Sequence, residues 1–308
     1  MSVVQRTLCS VVSYPERGAG GSNRYRGNCS PKLIEDLILH FSLTEINDYM
    51  CGSNTTHDVA DSMGIRSHTY DLHSGFDMLN HDLPERSSFT FWHPPYSDVV
   101  TYSDVMYSAA EVQNRYGFDP RLSDLSRIAT WEEFVKVMNY CMIKQFYALE
   151  KGGRMAVLVG DIKKRGRLYS MICELTKPGT LENIIIKTQH NCCSGKNRYS
   201  GSFIPIIHEY LLLLRKDEPM YYRALTTKKY EADIRDIQGA TWRDIVADAM
   251  EWFRGSVELE QLYKKVGEHS RTSARPYWKD KVRQTLQCHK DLFISTQRGV
   301  WSLVKYAA

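Results

Sequence analysis

Residues 31–216 alternate short apolar runs with amphipathic segments, and this restricts the chain to an α/β sheet architecture. Apolar or β-branched runs fall at Ser88–Trp92, Met155–Gly160, Leu181–Thr188 and Glu209–Leu214, with shorter ones at Glu45–Met50 and Ser67–Leu72. Helical periodicity is clearest at Pro31–Phe41, where Leu33, Ile34, Leu37, Ile38 and Phe41 share a face. It recurs over Trp131–Leu149 through Trp131, Phe134, Val135, Met138, Met142 and Phe146. Lys151-Gly152-Gly153 then reads as a helix-to-strand turn, with glycine in a left-handed cap. Two connections are longer than simple linkers: Ser97–Thr130, with three Tyr-Ser pairs, and His190–Ser202, rich in Ser, Gly and Asn. Loops of that length tend to be lids or binding elements.

Composition narrows the class further. At 43% apolar and 25% charged, the 308 residues exclude a disordered or collagen-like chain and allow one large domain or two moderate ones. No run approaches 18 apolar residues, and Met1–Tyr14 lacks a basic region followed by a long apolar run. The expectation is a cytoplasmic protein with no membrane span and no signal peptide. Eight cysteines occur without a CxxC pair, and only Cys192 and Cys193 are adjacent. That pattern points to reduced thiols, with no zinc signature and no metal.

Charge is uneven. Residues 263–308 hold ten basic and three acidic residues, a net of +7, so the rest of the +4 chain sums to −3. A basic module on a mildly acidic body suits a polyanion partner, although charge alone fits a solvated helical surface equally well. The tail has amphipathic segments at Thr241–Phe253 and Val257–Val266, then a basic helix over Pro276–Cys288. A Leu292–Ile294 run, a Gln297-Arg298-Gly299 turn and Val300–Leu303 follow. This is the outline of a winged helix, in which Lys279, Lys281 and Arg283 would enter a DNA groove and Arg298 would touch phosphate. The competing reading is a plain helical cap. Residues 1–216 and 217–308 are taken as two domains, and Lys196 and Arg198 in the 190–202 loop as further DNA contacts.

The tetrapeptide His93-Pro94-Pro95-Tyr96 directly follows the Ser88–Trp92 run. Two prolines remove two backbone donors and fix φ, giving a rigid turn whose carbonyls can accept from a planar amine, with Tyr96 to stack on its ring. Such a turn at the carboxyl edge of a sheet lies where α/β proteins place ligands, although on its own it is also an ordinary strand-end turn. Upstream, Asn47 to Thr56 runs from a strand through a small-residue turn into a helix. Asp71 ends the next strand, where an acidic side chain can grip a ribose hydroxyl.

Over roughly residues 14–216 the chain resembles the S-adenosylmethionine-dependent DNA amino-methyltransferases, which modify adenine N6 or cytosine N4. Asp48 to Thr56 is similar to the cofactor motif D-P-x-x-G-S-G-T-T, and His93 to Tyr96 to the catalytic (D/N/S)-P-P-(Y/F) motif. Cys29-Ser30-Pro31-Lys32 resembles the family's Ser-Pro-Lys segment. Gly152 to Asp161 resembles its K-P-G-G-R turn and following strand, and Phe203-Ile204-Pro205 with His208 to Leu211 its late hairpin strand. The resemblance implies a Rossmann-like class I methyltransferase sheet with helices on both faces. It implies S-adenosylmethionine held by Ser30, Pro31, Asp48, Met50, Cys51, Gly52, Ser53, Thr55, Asp71, Leu72 and Asp82, with catalysis by His93, Pro94, Pro95 and Tyr96. Asp77 is a second candidate at the cofactor edge, Tyr25 and its flanking arginines could close over the cofactor, and Phe203 could wall the base pocket.

Three positions depart from the pattern. Tyr49 replaces proline, Asn54 replaces a glycine, and His93 stands where the family has Asp, Asn or Ser. Asparagine tolerates a left-handed φ, and neutral histidine can accept one hydrogen bond whereas imidazolium cannot. Activity is therefore expected to fall as pH drops through the histidine range. The leading reading is methylation of a flipped-out base in double-stranded DNA by a monomer or homodimer, adenine N6 ahead of cytosine N4 on general frequency alone. Any restriction nuclease would be a separate chain. The alternatives are an RNA base-amine methyltransferase and an inactive DNA-binding protein that keeps the fold.

Overall fold

Seven strands join in one sheet. The computed structural model describes residues 8–190, 203–217, 241–273 and 275–306. In chain order the elements are β1 (Val11–Ser13), α1 (Pro31–Phe41), β2 (Glu45–Asp48), α2 (Thr55–Ser62), β3 (Arg66–Thr69), β4 (Ser87–Trp92), α3 (Ala109–Tyr116) and α4 (Trp131–Ala148). They continue with β5 (Leu149–Val159), a small hairpin of β6 (Ile162–Lys164) and β7 (Arg167–Tyr169), β8 (Thr180–Thr188) and β9 (His208–Arg215). The sheet order is β1-β8-β9-β5-β4-β2-β3. Only β9 runs antiparallel to its neighbours; the other adjacent pairs are parallel.

Period-two alternation assigns the two faces. On β5, Met155, Val157 and Val159 join Leu212 and Leu214 of β9 in a core completed by Phe134, Met138 and Met142 of α4. Ala156, Leu158, Leu211 and Leu213 point the other way, onto Leu33, Ile34 and Leu37 of α1 and Val59 and Ala60 of α2. Helices therefore cover both faces of the Rossmann-like sheet, as the sequence implied. Proline at the first position of α1 presets its φ, and Ser42 in left-handed conformation closes the helix by donating to Ile38 and Leu39 carbonyls.

Two local expectations are corrected. Lys151-Gly152-Gly153 is not a cap between helix and strand. β5 begins at Leu149, directly after α4, and residues 150–153 bulge between the pairs Ser87↔Leu149 and Phe89↔Arg154. Gly152 takes a positive φ there, and its N–H donates to the Lys216 carbonyl. Val257–Val266 is not one helix but a two-residue strand, β10 (Val257–Glu258), leading into a shorter helix.

The C-terminal region contains α5 (Trp242–Phe253), β10, α6 (Leu259–Val266), α7 (Trp278–Cys288), β11 (Phe293–Gln297) and β12 (Val300–Leu303), with sheet order β10-β12-β11. Thr241 and Asp244 form a reciprocal capping box at the start of α5. Its core of Ile245, Val246, Met250, Leu262, Val282, Leu286 and Phe293 includes Tyr147 from α4, the helix that also packs on the main sheet. Among the described residues no helix is long and apolar enough to cross a membrane, and no cluster of three or more His, Cys, Asp or Glu could hold a metal.

Candidate active site

The chain leaves β2 outward to β3 and returns on the other side of β2 as β4, so a switch point opens between the carboxyl ends of β2 and β4. A cleft of about 790 Å³ lies there. Asp48, Met50, Cys51, Gly52, Ser53, Thr55, Asp71, Leu72, His93 and Pro95 all border it.

Asp48 at the end of β2 is buried, and both its oxygens organise the following turn: Met50 N–H donates at 3.1 Å and the Thr56 hydroxyl at 2.6 Å. Burial pushes its carboxyl up to about 7 despite those two bonds. Asp71, two residues beyond β3, ties the two halves of the cleft together. It accepts from Gly52 N–H at 2.9 Å and from the backbone and ring of His73, and that bond to the carboxylate raises the His73 pKa. Gly52 has φ +51°, and a Cβ there would stand 2.9 Å from the Tyr25 ring. Asn54 adopts φ 63°, ψ 27°, so the residue in the glycine position takes the left-handed geometry that glycine would supply. Its side chain accepts from the Cys51 thiol at 3.1 Å. Tyr49, in the proline position, is buried and stacked on Tyr70, accepting from Asn47 and donating to the Glu85 carbonyl.

A second and larger pocket, about 1410 Å³, adjoins the first. Gly27, Asn28, Cys29, His93 and Tyr102 border both. The HPPY turn thus stands at the junction, with His93 on both sides, Pro95 on the first pocket, and Pro94 and Tyr96 on the second. His93 Nε2 lies 3.0 Å from the Tyr96 hydroxyl, which donates to Glu209 at 2.8 Å. Glu209 in turn accepts from Lys187 Nζ at 2.6 Å. Burial pushes the His93 imidazole down to about 4; Glu209 opposes this and Lys187 adds to it. Burial would raise the Glu209 carboxyl, but Lys187 and His93, with the bonds from Lys187 and Tyr96, hold it below the usual carboxylate value.

Several expected site residues lie elsewhere. Asp82 is exposed on the loop before β4 and borders neither pocket, while the neighbouring Leu83 is inserted in the core. Asp77 accepts from the backbone of Leu79 and Asn80 and from Ser123, and so braces its own loop. Ser30 borders the second pocket, and Pro31 is buried as the first residue of α1. Phe203 is exposed beneath Lys163 and borders neither pocket. Tyr25 borders the first pocket and Arg26 the second. Lys279, Lys281, Arg283 and Arg298 are all exposed. Lys281 shares a groove with Arg271 and Arg275, while Lys279 lies over the Tyr263 ring on another flank and Arg283 pairs with Asp280. Lys196 and Arg198 lie outside the described residues.

Sequence reasoning missed Lys187, Glu209, Tyr102 and Tyr107 as site residues. The Tyr-Ser repeats were the available signal for the tyrosines, because Tyr102 and Tyr107 come from that long loop and line the first cleft.

No family model matches the sequence, and neither does any curated protein. Similar solved structures do exist. TTHA0409 of Thermus thermophilus, provisionally named a DNA modification methylase and crystallised with S-adenosyl-L-methionine, is 18% identical over 49% of this chain and 53% of its own, with a TM-score of 0.27. Its selenomethionine form aligns at 25% identity over 32% of this chain and 42% of its own, with a TM-score of 0.24. TrmN from Thermus thermophilus is 14% identical over 62% of this chain and 50% of its own, with a TM-score of 0.31. The chain spans about half the length of these structures. None of the overlays reaches a TM-score of 0.5, so the functional reading rests on the site's own residues.

Proposed function

We propose that the protein is an S-adenosylmethionine-dependent methyltransferase acting on an exocyclic base amine of DNA, adenine N6 ahead of cytosine N4. The observation that carries this reading is the HPPY turn at the junction of two pockets, one bordered by the Asp48–Thr56 turn and Asp71, the other open for a base. The first pocket suits the cofactor chemically. Asp48 offers a buried carboxyl to an ammonium, Asp71 offers an acceptor to ribose hydroxyls, and Tyr25, Phe76 and Leu125 offer apolar surface to a purine. Gly52 leaves room for close approach of backbone. Bound there, the cofactor supplies an electrophilic methyl group on a sulfonium.

The chain's own residues perform the rest. Flipping the base into the second pocket costs a few kcal/mol of unstacking. The Pro94 carbonyl and a neutral His93 accept from the amine and aim its lone pair, while Tyr96 and the prolines keep the turn rigid. Proximity and alignment supply most of the acceleration, because no proton or metal chemistry has to precede attack.

The C-terminal order helix, short strand, helix, helix and hairpin supports a winged-helix module as a second domain over 217–308. Lys279, Lys281 and Arg283 would then lie toward a groove and Arg298 at the wing. An RNA substrate is the second reading, favoured by the same pocket chemistry, since RNA presents equivalent amines. Digesting methylated product to nucleosides and identifying them by mass tests both. N6-methyladenine or N4-methylcytosine in DNA supports the proposal, whereas label confined to RNA replaces it with the second reading.

A further inference from the structure

The buried Lys187–Glu209 pair has no place in the mechanism above, yet it adjoins the catalytic turn. The two residues are direct cross-strand partners in the β8–β9 ladder, and both are about nine-tenths buried. Glu209 is a carboxylate held ionised by Lys187, so it can only accept, and the hydrogen in its 2.8 Å contact with Tyr96 comes from the tyrosine. The Tyr96 oxygen has then used its only hydrogen. Its 3.0 Å contact with His93 Nε2 is a bond only if the imidazole donates, which requires hydrogen on Nε2. In a neutral ring the lone pair is then on Nδ1. Among the described residues Nδ1 makes no hydrogen bond, and His93 borders both pockets.

Resting on the methyltransferase reading, we infer that Lys187 and Glu209 are positioning residues. Through Tyr96 they fix His93 in the Nε2–H tautomer, so that Nδ1 accepts from the target amine. This gives a physical account of histidine in a position where the family uses Asp, Asn or Ser. A rotatable carboxamide or hydroxyl presents an acceptor by itself, whereas an imidazole presents one only when its other nitrogen is committed. The ionisable groups around the ring are consistent with a neutral imidazole. Glu209 comes from β9, Lys187 from β8, Cys29 from the N-terminal arm and Tyr96 and Tyr102 from the loop after β4. Burial outweighs the single anion among them.

The test is the two-bond ¹H–¹⁵N spectrum of histidine-labelled protein at pH 7, which distinguishes the two tautomers without substrate. The wild type should show His93 as Nε2–H. The Lys187→Met variant should loosen that tautomer, because Glu209 loses the cation that holds it ionised and, once protonated, can donate to Tyr96 instead of accepting from it. Lys187→Met/Glu209→Leu removes the pair together, leaves no buried charge alone and frees the Tyr96 hydroxyl to donate to Nε2. That variant should switch His93 to Nδ1–H and lower kcat by about tenfold or more with cofactor affinity unchanged. A wild-type His93 in the Nδ1–H form overturns the inference, as does a double variant with unaltered tautomer and turnover. Because the tautomer is read without turnover, failure of the methyltransferase reading would appear separately, as absent methyl transfer by a protein with the expected spectrum.

Discussion

Substituting Gly160 by alanine examines whether the placement of Tyr96 governs turnover. Gly160 follows β5 and runs against the Tyr96 ring. A Cβ there would lie 2.7 Å from Cε2 and 3.3 Å from Cδ2 and Cζ, whereas ordinary contact begins at 3.4 Å. Retreat of the ring is opposed at its far end, where the hydroxyl bonds to Glu209 at 2.8 Å and His93 at 3.0 Å. Moving the ring therefore moves His93 or breaks the chain of hydrogen bonds. A displacement approaching 1 Å at a positioning group costs about 100-fold in rate, or about 2.7 kcal/mol of transition-state stabilisation. Neither Gly160 nor Tyr96 borders the first cleft, so the cofactor dissociation constant should stay within about twofold. Single-turnover methylation at saturating cofactor measures the first quantity and titration calorimetry the second. A folded Gly160→Ala protein with turnover within about threefold of wild type would refute the reasoning, as would a loss carried entirely by cofactor affinity.

Three further outcomes follow from the same geometry. Turnover at saturating cofactor should be flat from pH 8 to 5.5. The His93 pKa is lowered, so its neutral form persists down to about 4, and a fall centred near pH 6.5 in kcat would contradict this. Cofactor affinity should weaken as pH falls below about 7, because the raised Asp48 carboxyl is then protonated and loses its attraction for an ammonium; calorimetry at pH 8 and 6 should show weaker binding at pH 6. Replacing Lys281 or Arg298 by alanine should weaken DNA binding at every sequence tested and lower the salt slope of log K by about 0.9 for each phosphate no longer neutralised. An unchanged slope for both would remove them from the interface.

The elements that carry local signals were legible in the sequence. The apolar runs of β4 and β9 and the 3.6-residue stripe of α1 depend on neighbours within a few positions, and the observed boundaries differ from the expected ones by no more than one residue. The β2–α2 turn was equally readable, because Asp48, Gly52 and Asn54 act through backbone geometry close in sequence. What escaped depends on distant pairing. The partnership of Lys187 with Glu209 exists only through the β8–β9 register, and their link to His93 only through the packing of β9 on β5. β1 was missed because three residues of strand carry almost no pattern, and it is held by parallel pairing with β8. Asp82 was misplaced for the opposite reason. The resemblance implied a cofactor contact, but the loop turns its side chain to solvent and buries Leu83 instead. The pH expectation moves to lower pH because sequence names a histidine without its burial.

The central claim is that the HPPY junction transfers a methyl group to a base amine. Its most direct test is transfer of radiolabelled methyl from S-adenosylmethionine to unmethylated duplex DNA and to total RNA, with His93→Ala alongside. The account predicts label in DNA that is lost in the variant while cofactor binding persists. Label in neither nucleic acid, from a wild-type protein that still binds cofactor and DNA, would contradict it and leave a DNA-binding protein that keeps the fold.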